Sequence, residues 1–376
     1  MLHFVIESAG YFSTDYRNHP VAHLMLGLFA AHDRSRFEVI AFSLGNPIKD
    51  KWHQRVKDSV DQFIEIQDMS DKEVAELART MEIDIAVDLN GFTENCRAGI
   101  FAQRAAPVQV SYIGYLGTMG APYIDYLVTD QTIVPAEARP FYNEKMIYLP
   151  SYQINDPTLQ PSGRPMTRAE FGLPDDAFVF CAFNNNFKIT PRVFERWMRI
   201  LNRVPQGVLW LFVSNEKAQE YLRAFAADHG VDPSRLIFAS KIPLEDHLAR
   251  QRLGDLFLDT LPYNAGATAS NALRVGLPVL TLTGKSFAGR MGSSLLKAVG
   301  LPELVTATEQ EYEDKAVLLA QNPALMQSIR EKLAANLPGS ALFDNQTFAR
   351  HIETAFQTIH NRACQGLPPI HVKVQV

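Results

Sequence analysis

The chain has 376 residues, 47% of them hydrophobic and 20% charged, enough apolar mass for full-sized cores and, at roughly 100–200 residues per domain, for two domains. This excludes a disordered chain, a coiled coil and a disulfide-stapled mini-domain. Lys and Arg number 36 against 41 Asp and Glu, a formal net charge of −5; with no local run of basic residues, no partnership with nucleic acid or an anionic membrane surface is expected.

From the N-terminus, the candidate strands are Phe4–Glu7, Glu38–Ser43, Gln62–Ile66, Ile83–Leu89, Val108–Ile113, Tyr126–Thr129 and Met146–Leu149. Helical patterns such as Pro20–His32 and Asp71–Arg79 lie between them. Short apolar strands bounded by helices predict parallel βαβ units over residues 1–150. The stretch 151–176 holds Pro157, Pro161, Gly163, Pro165 and Pro174 and reads as a linker. A second α/β domain is predicted over 177–340. Its strands are Phe178–Ala182, Val208–Val213, Leu236–Phe238, Asp255–Leu258 and Pro278–Thr281; its helices are Pro191–Arg203, Lys217–His229, Pro243–Arg252, Ala269–Val275 and Ser286–Ala298. The remainder, 341–376, is a C-terminal helix and tail, with Phe348, Ile352, Phe356 and Ile359 on one helical face. The fold class is therefore α/β, two doubly wound domains, with a ligand cleft expected between them at the carboxyl ends of the strands.

Cys96, Cys181 and Cys364 are too sparse for a disulfide framework and show no zinc spacing. The first residues lack a leader pattern, and the longest apolar runs fall far short of the roughly 20 residues that span a bilayer. A soluble, cytoplasmic protein is expected.

Five segments can carry chemistry. In FCAFNNNFKITP, Lys188 follows a strand, with Thr190 able to cap the next helix and Pro191 in its first position. It is either a phosphate-binding cation or a solvated loop lysine. In DTLPYNAGATASNAL, Asn264, Ala265, Gly266 and Ala267 lead to a helix beginning near Thr268; either this loop binds a phosphate, with Thr268 capping the helix and donating its hydroxyl, or it is an ordinary tight connection. In KIPLEDHLAR, with Pro243 at the first helical position, His247 and Arg250 share a face, positioned for a nucleobase or simply exposed on a helix. His19, before Pro20, is a general base or orienting group at the ligand edge, or a capping histidine, and His23 packs. Asn90-Gly91 and the Gly114–Gly120 loop, with Gly117 and Thr118, are placed to line the acceptor side, whereas Asp84 and Asp88 read as structural. No Walker A, H-E-x-x-H, G-x-S-x-G or G-x-G-x-x-G pattern occurs, and no D-x-D, the usual handle for a metal–diphosphate.

Taken together, the segments NHPVAHLM, DLNGFT, APVQVSYIGYLGTMGAPYIDYLVTDQTIVPAE, FNNNFKITP, RVPQGVLWL, DTLPYNAGATASNAL-x-x-GLPVLTL and Arg290 in GRMGSSLL resemble, nearly end to end, the catalytic region of the O-GlcNAc transferase and SPINDLY-like proteins, glycosyltransferase family 41. The resemblance implies a GT-B fold, two Rossmann-like domains facing across a cleft, and a metal-independent, inverting enzyme with no cofactor. It implies transfer of a sugar, GlcNAc from UDP-GlcNAc first, to a protein Ser or Thr. The alternatives are fucosyl or glucosyl transfer from another nucleotide sugar, or a nucleotide-sugar-binding module without activity. By the same resemblance, Lys188 neutralises the leaving diphosphate and His247 lies beside the base with Arg250 near it. Thr268 contacts phosphate, Asn185 lies near the nucleotide, and His19 stands near the acceptor. Departures from the family are Gly266 for histidine, Ala267 for threonine, Asn271 for the ribose-binding aspartate and Leu244 for lysine. The family's tetratricopeptide repeats are not in the sequence, so either a separate chain recruits a protein acceptor or the acceptor is of another kind.

Overall fold

Apolar strands that alternate with helices have no tight hairpins available, so they pair in parallel with helices on both faces. The computed structural model describes residues 7–45 and 48–374, and the chain divides into two compact units, one holding residues up to 158 and from 341 onward, the other 159–340. The stretch 151–176, expected as a linker, is thus shared: residues to 158 pack with the first unit and those from 159 with the second. The predicted C-terminal segment belongs to the first.

The first unit contains β1 (Glu7–Ser13), α1 (Pro20–Ala31), β2 (Phe37–Ser43), α2 (Lys51–Asp58), β3 (Gln62–Glu65), α3 (Asp71–Thr80), β4 (Ile85–Asp88), α4 (Ala98–Ala102), β5 (Val108–Ser111), β6 (Tyr126–Thr129) and β7 (Lys145–Tyr148). The second contains β8 (Phe178–Ala182), α5 (Pro191–Arg203), β9 (Gly207–Phe212), α6 (Glu216–Asp228), β10 (Leu236–Ala239), α7 (Leu244–Gln251), β11 (Leu256–Leu258), α8 (Ala267–Arg274), β12 (Val279–Leu282), α9 (Met291–Ala298), β13 (Val305–Thr306), α10 (Glu309–Gln321) and α11 (Pro323–Asn336). The chain then returns to the first unit with α12 (Asn345–Cys364) and β14 (Val372–Lys373).

All pairings are parallel, in the orders β14-β7-β6-β5-β4-β1-β2-β3 and β10-β9-β8-β11-β12-β13. In each, the first strand has later strands on both sides. The order therefore reverses between β1 and β4 and between β8 and β11. At such a switch point the connections leave toward opposite faces and open a crevice at the carboxyl ends.

The first strand differs from its prediction. Residues 4–6 lie outside the described residues, and the strand runs on to Ser13, paired residue by residue with Phe37–Ser43 and wholly buried. Ser8, Ala9 and Gly10 have poor strand propensity, but a Cβ on Gly10 would lie 3.0 Å from Ile83 and 3.1 Å from Phe42, so packing selects the small residue. The polar turn before His19 is correspondingly short. The helix expected over Ser286–Ala298 begins as a 3₁₀ turn, Ala288–Arg290, before α9.

The predicted apolar face of α12 (Phe348, Ile352, Phe356 and Ile359) is buried. Beside it, Tyr11 donates to His32 Nε2 at 2.8 Å, and His32 Nδ1 donates to Glu353 Oε1 at 2.9 Å, all within the core. Burial lowers the His32 pKa despite Glu353, so the ring is neutral and bridges a hydroxyl and a carboxylate. Near the other end of α12, His360 lies 3.3 Å from Asp84 and 3.5 Å from Glu7. Among the described residues no helix is long and apolar enough to cross a membrane.

The two carboxylates raise the His360 pKa to about 10, against burial. The charged ring stabilises the fold fully below its unfolded pKa near 6.5, and that contribution fades as pH rises toward 10. His360→Ala should therefore cost about 1–3 kcal/mol at pH 6 and progressively less between pH 8 and 10. Urea unfolding at those pH values measures it.

Candidate active site

The second domain's switch point lies between the ends of β8 and β11, where the polar segments read from the sequence converge. After β8 come Phe183 and Asn184, both buried, then exposed Asn185 and a 3₁₀ turn, Asn186–Lys188. Thr190 caps α5 as expected: its hydroxyl accepts from Val193 N at 3.3 Å, with Pro191 in the first helical position. Across the switch point Asn184 Nδ2 donates to Thr260 Oγ1 at 3.1 Å, joining the exit of β8 to that of β11.

Lys188 reaches over this junction. Its ammonium donates to the Asn264 carbonyl at 3.0 Å and stands 4.0 Å from the centre of the Tyr263 ring. Burial pulls its pKa down to about 8, opposed by the Asp259 carboxylate. A solvated loop lysine would show none of this. Asn264 is tied in turn to the 3₁₀ turn before α9 and to the first turn of α9, donating its N–H to Ala288 O and accepting from Gly292 N at its Oδ1.

Thr268 does not cap the helix. Helix α8 begins one residue earlier, at Ala267, and its N-cap is Gly266, which has no side chain to cap with. Gly266, Ala267, Thr268 and Asn271 are partly exposed in its first turns; Ala267 and Asn271 share a face at one-turn spacing. The missing side-chain cap leaves this helix start open to a ligand anion.

Pro243 is the N-cap of α7 rather than its first residue. Arg250, expected near a base, is only 1% exposed. Its Nε donates to His247 Nδ1 at 3.0 Å and its NH1 to Ser240 O at 2.7 Å, with its guanidinium over Phe183 and Trp210. The arginine thus orients the histidine and is not itself presented to a ligand. His247 packs edge-on against Phe183 at 5.1 Å. Burial and Arg250 push its pKa down to about 3, so the ring is neutral. Because Nδ1 accepts, the proton sits on Nε2, which is a donor.

In the first domain the same arrangement recurs between β1 and β4. Asn90, 1% exposed, accepts from Thr14 N at 2.8 Å and donates to Thr14 Oγ1 at 2.7 Å and Asp15 Oδ2 at 3.1 Å. It clasps the two strand exits and does not face solvent. Asp88, read as structural, accepts from Asn90 N and Gly91 N, and burial raises its pKa. Asp84 receives Ser8 N and Oγ at the other end of the strand. His19 is the N-cap of α1. Its Nδ1 accepts from Val21 N at 3.3 Å and lies 3.7 Å from Asp15 Oδ2, and burial lowers its pKa. Its proton also sits on Nε2. His23 packs on Trp52 at 4.1 Å.

The Gly114–Gly120 loop is pressed against this exit. A Cβ on Gly114 would lie 2.0 Å from Leu89 O, so only glycine fits. Thr118 Oγ1 donates to buried Glu144 at 2.6 Å, while Gly117 is partly exposed. Beside Thr14 and Arg17, a cavity of about 470 Å³ opens at the ends of β1–β4, lined also by Gly45, Gln67, Asn95 and Arg97. Sequence reasoning passed over Asp15, Asp259 and Tyr263; strand-terminal position was the available signal for Asp259.

Two all-parallel Rossmann-like sheets, each with polar side chains gathered at its switch point, place the chain in the GT-B class of glycosyltransferase folds. More narrowly, the chain belongs to glycosyltransferase family 41: "Glycosyl transferase family 41" matches residues 7–158 and 161–352. It is 36% identical to the "Probable UDP-N-acetylglucosamine--peptide N-acetylglucosaminyltransferase SEC" of Arabidopsis thaliana, covering 97% of this chain and 38% of that protein. It is 33% identical to the probable enzyme of the same activity named SPINDLY from Solanum lycopersicum, covering 96% and 39%. A mutant of the Thermobaculum terrenum O-GlcNAc transferase superposes with a TM-score of 0.90 at 34% identity, covering 96% of this chain and 69% of that one. The chain spans about two-fifths of the curated relatives it matches.

Asn90→Ala removes the clasp and leaves Thr14 N and Asp15 without those partners. It should lower stability by about 1–3 kcal/mol, read as a lower urea midpoint at unchanged slope.

Proposed function

We propose that this chain is a protein O-glycosyltransferase that moves GlcNAc from UDP-GlcNAc to a Ser or Thr hydroxyl, with inversion and without a metal ion. The observation that carries this reading is the half-buried Lys188 ammonium, held on the Asn264 carbonyl immediately before the uncapped start of α8. A diphosphate set there would meet Lys188, the Thr268 hydroxyl and the first amides of α8, which together supply the positive potential that a metal supplies elsewhere. Gly266 and Ala267 allow close approach of the backbone. Asn271 offers its amide to the ribose, and Asn185 and the His247 Nε2–H face the nucleotide. UDP-N-acetylglucosamine appears in the names of the curated relatives, which supports this donor over GDP-fucose or UDP-glucose.

In the transfer, the acceptor oxygen bonds to the anomeric carbon as the bond to the diphosphate breaks, giving inversion in one displacement, and the hydroxyl proton passes through water to an oxygen of the departing diphosphate. Negative charge builds on the departing diphosphate, so preorganised cations and dipoles act mainly on the transition state. On the acceptor side His19 presents an Nε2–H, suited to orient the hydroxyl oxygen rather than to deprotonate it. Asn90, Gly114, Gly117 and Thr118 hold the surrounding loops. Recruitment of the protein acceptor by a separate chain belongs to the same proposal.

Lys188→Ala should lower kcat by about 10²–10³-fold, and wild-type kcat/KM, which reports the unliganded enzyme, should fall as pH rises through about 8, where the ammonium is lost. Activity should persist in EDTA. Wild-type turnover in Lys188→Ala would refute the role of Lys188. A thermal-shift panel of UDP-GlcNAc, UDP-glucose and GDP-fucose identifies the donor, since stabilisation grows with ligand concentration over Kd. The reading without activity, motivated by Asn271, Ala267 and Leu244, predicts stabilisation by a nucleotide sugar with no release of free nucleotide.

A further inference from the structure

We propose that Asp259 is a positioning residue of the transfer reaction: its buried carboxylate closes the Thr260–Gly266 loop so that the Asn264 carbonyl receives the Lys188 ammonium and α8 starts at the same edge. This deepens, and rests on, the reading of Lys188 above.

Asp259 follows β11 directly at the switch point and is 2% exposed. One of its oxygens, Oδ1, accepts from both Thr260 N at 2.8 Å and Ala265 N at 2.7 Å. The two ends of the loop therefore meet on a single atom. Within the closed loop Thr260 Oγ1 donates to Tyr263 O and Asn264 Nδ2 donates to Thr260 O, each at 2.7 Å. These bonds aim the Asn264 carbonyl at Lys188. The other oxygen, Oδ2, is held from the neighbouring strand by the Thr281 hydroxyl at 2.6 Å. From α9 only glycine can approach: a Cβ on Gly292 would lie 2.5 Å from Oδ2 and 2.3 Å from Thr281 Oγ1. Tyr312 donates to the Asp259 carbonyl at 3.0 Å. A carboxylate this deep is costly unless bonded, so opening the loop strands it and the closed form is strongly favoured.

The charge has its own use. Lys188 and Asp259 favour each other's charged forms, while burial raises the Asp259 pKa to about 6 and lowers that of Lys188 to about 8. Among the described residues, the ionisable groups that touch these two or their backbone are Tyr263 beneath the ammonium and Tyr312 over the Asp259 backbone, with Arg196 behind Tyr312. Asparagine at 259 could keep every hydrogen bond, its oxygen accepting from the two amides and its NH₂ donating to Thr281. Asp259→Asn therefore removes the charge alone.

The test titrates the Lys188 side chain by NMR in the 376-residue chain with ¹³C-labelled lysine, its signal assigned by loss in Lys188→Met. In Asp259→Asn the Lys188 titration should move to lower pH, and in an active enzyme the alkaline limb of kcat/KM should move with it. Thr281→Val withdraws a bond that favours the charged carboxylate, so the acid limb should move to higher pH. Asp259→Ala opens the loop and should lower kcat by about 10²-fold. A purely structural role would lower the Tm of these variants and leave the Lys188 titration in place; that result, or Asp259→Ala with kcat within about threefold of wild type, overturns the proposal. An inactive wild type whose Lys188 still shifts in Asp259→Asn counts against the transferase reading alone. An active enzyme whose Lys188 does not shift counts against Asp259 alone.

Discussion

The placement of one ammonium group governs the second domain. Among the described ion pairs Lys188 has no carboxylate partner; its Nζ rests instead on a backbone carbonyl and an aromatic face. A directly paired lysine would be neutralised and tethered. A fully exposed one would be screened by water and salt. Held as it is, the charge is half-desolvated, and its interaction with an anion is stronger than at an open surface. The loop beneath it, the glycine approach of α9 and the uncapped start of α8 follow from keeping that group there.

Both domains solve the same local problem. At a switch point adjacent strands part, and backbone groups that would have continued the ladder lose their partners. Asn90 covers the gap in the first domain, between Thr14 and Asp15; in the second, Asn184 joins the two strand exits only through its Nδ2 bond to the Thr260 hydroxyl, and its buried Oδ1 has no partner among the described residues. Asn90 suits its position because a side-chain amide can accept and donate at once. The exposed polar residues of each edge are built around these internal clasps.

The two candidate histidines show how a neighbour sets function. His19 spends Nδ1 on the start of α1, and His247 spends Nδ1 on Arg250. Both rings are kept neutral by burial, and both present an N–H. They are suited to orient oxygen atoms of a ligand and poorly suited to abstract a proton through the exposed nitrogen.

Much of this was legible in the residues. Alternating apolar runs and helical patterns were enough for the parallel α/β class, and Thr190-Pro191 announced the start of α5. In the sequence Lys188 and Asn185 come just after a predicted strand and Thr268 and Asn271 at the start of the helix after another, and the structure places them after β8 and in the first turns of α8. Periodicity could not place the first strand, whose Ser8-Ala9-Gly10 pairs in the sheet, with Ile83 and Phe42 crowding Gly10. Nor could it show that Arg250 turns inward to hold His247, that Asn90 is a clasp, or that Asp259 folds the loop under Lys188. Those facts depend on contacts between residues such as Lys188 and Asn264, or Asp259 and Thr281, far apart along the chain. Local pattern specifies which elements form and where polar residues cluster. The direction, charge state and hydrogen-bond partner of each side chain are set by burial and by neighbours that only the packed sheet brings within reach.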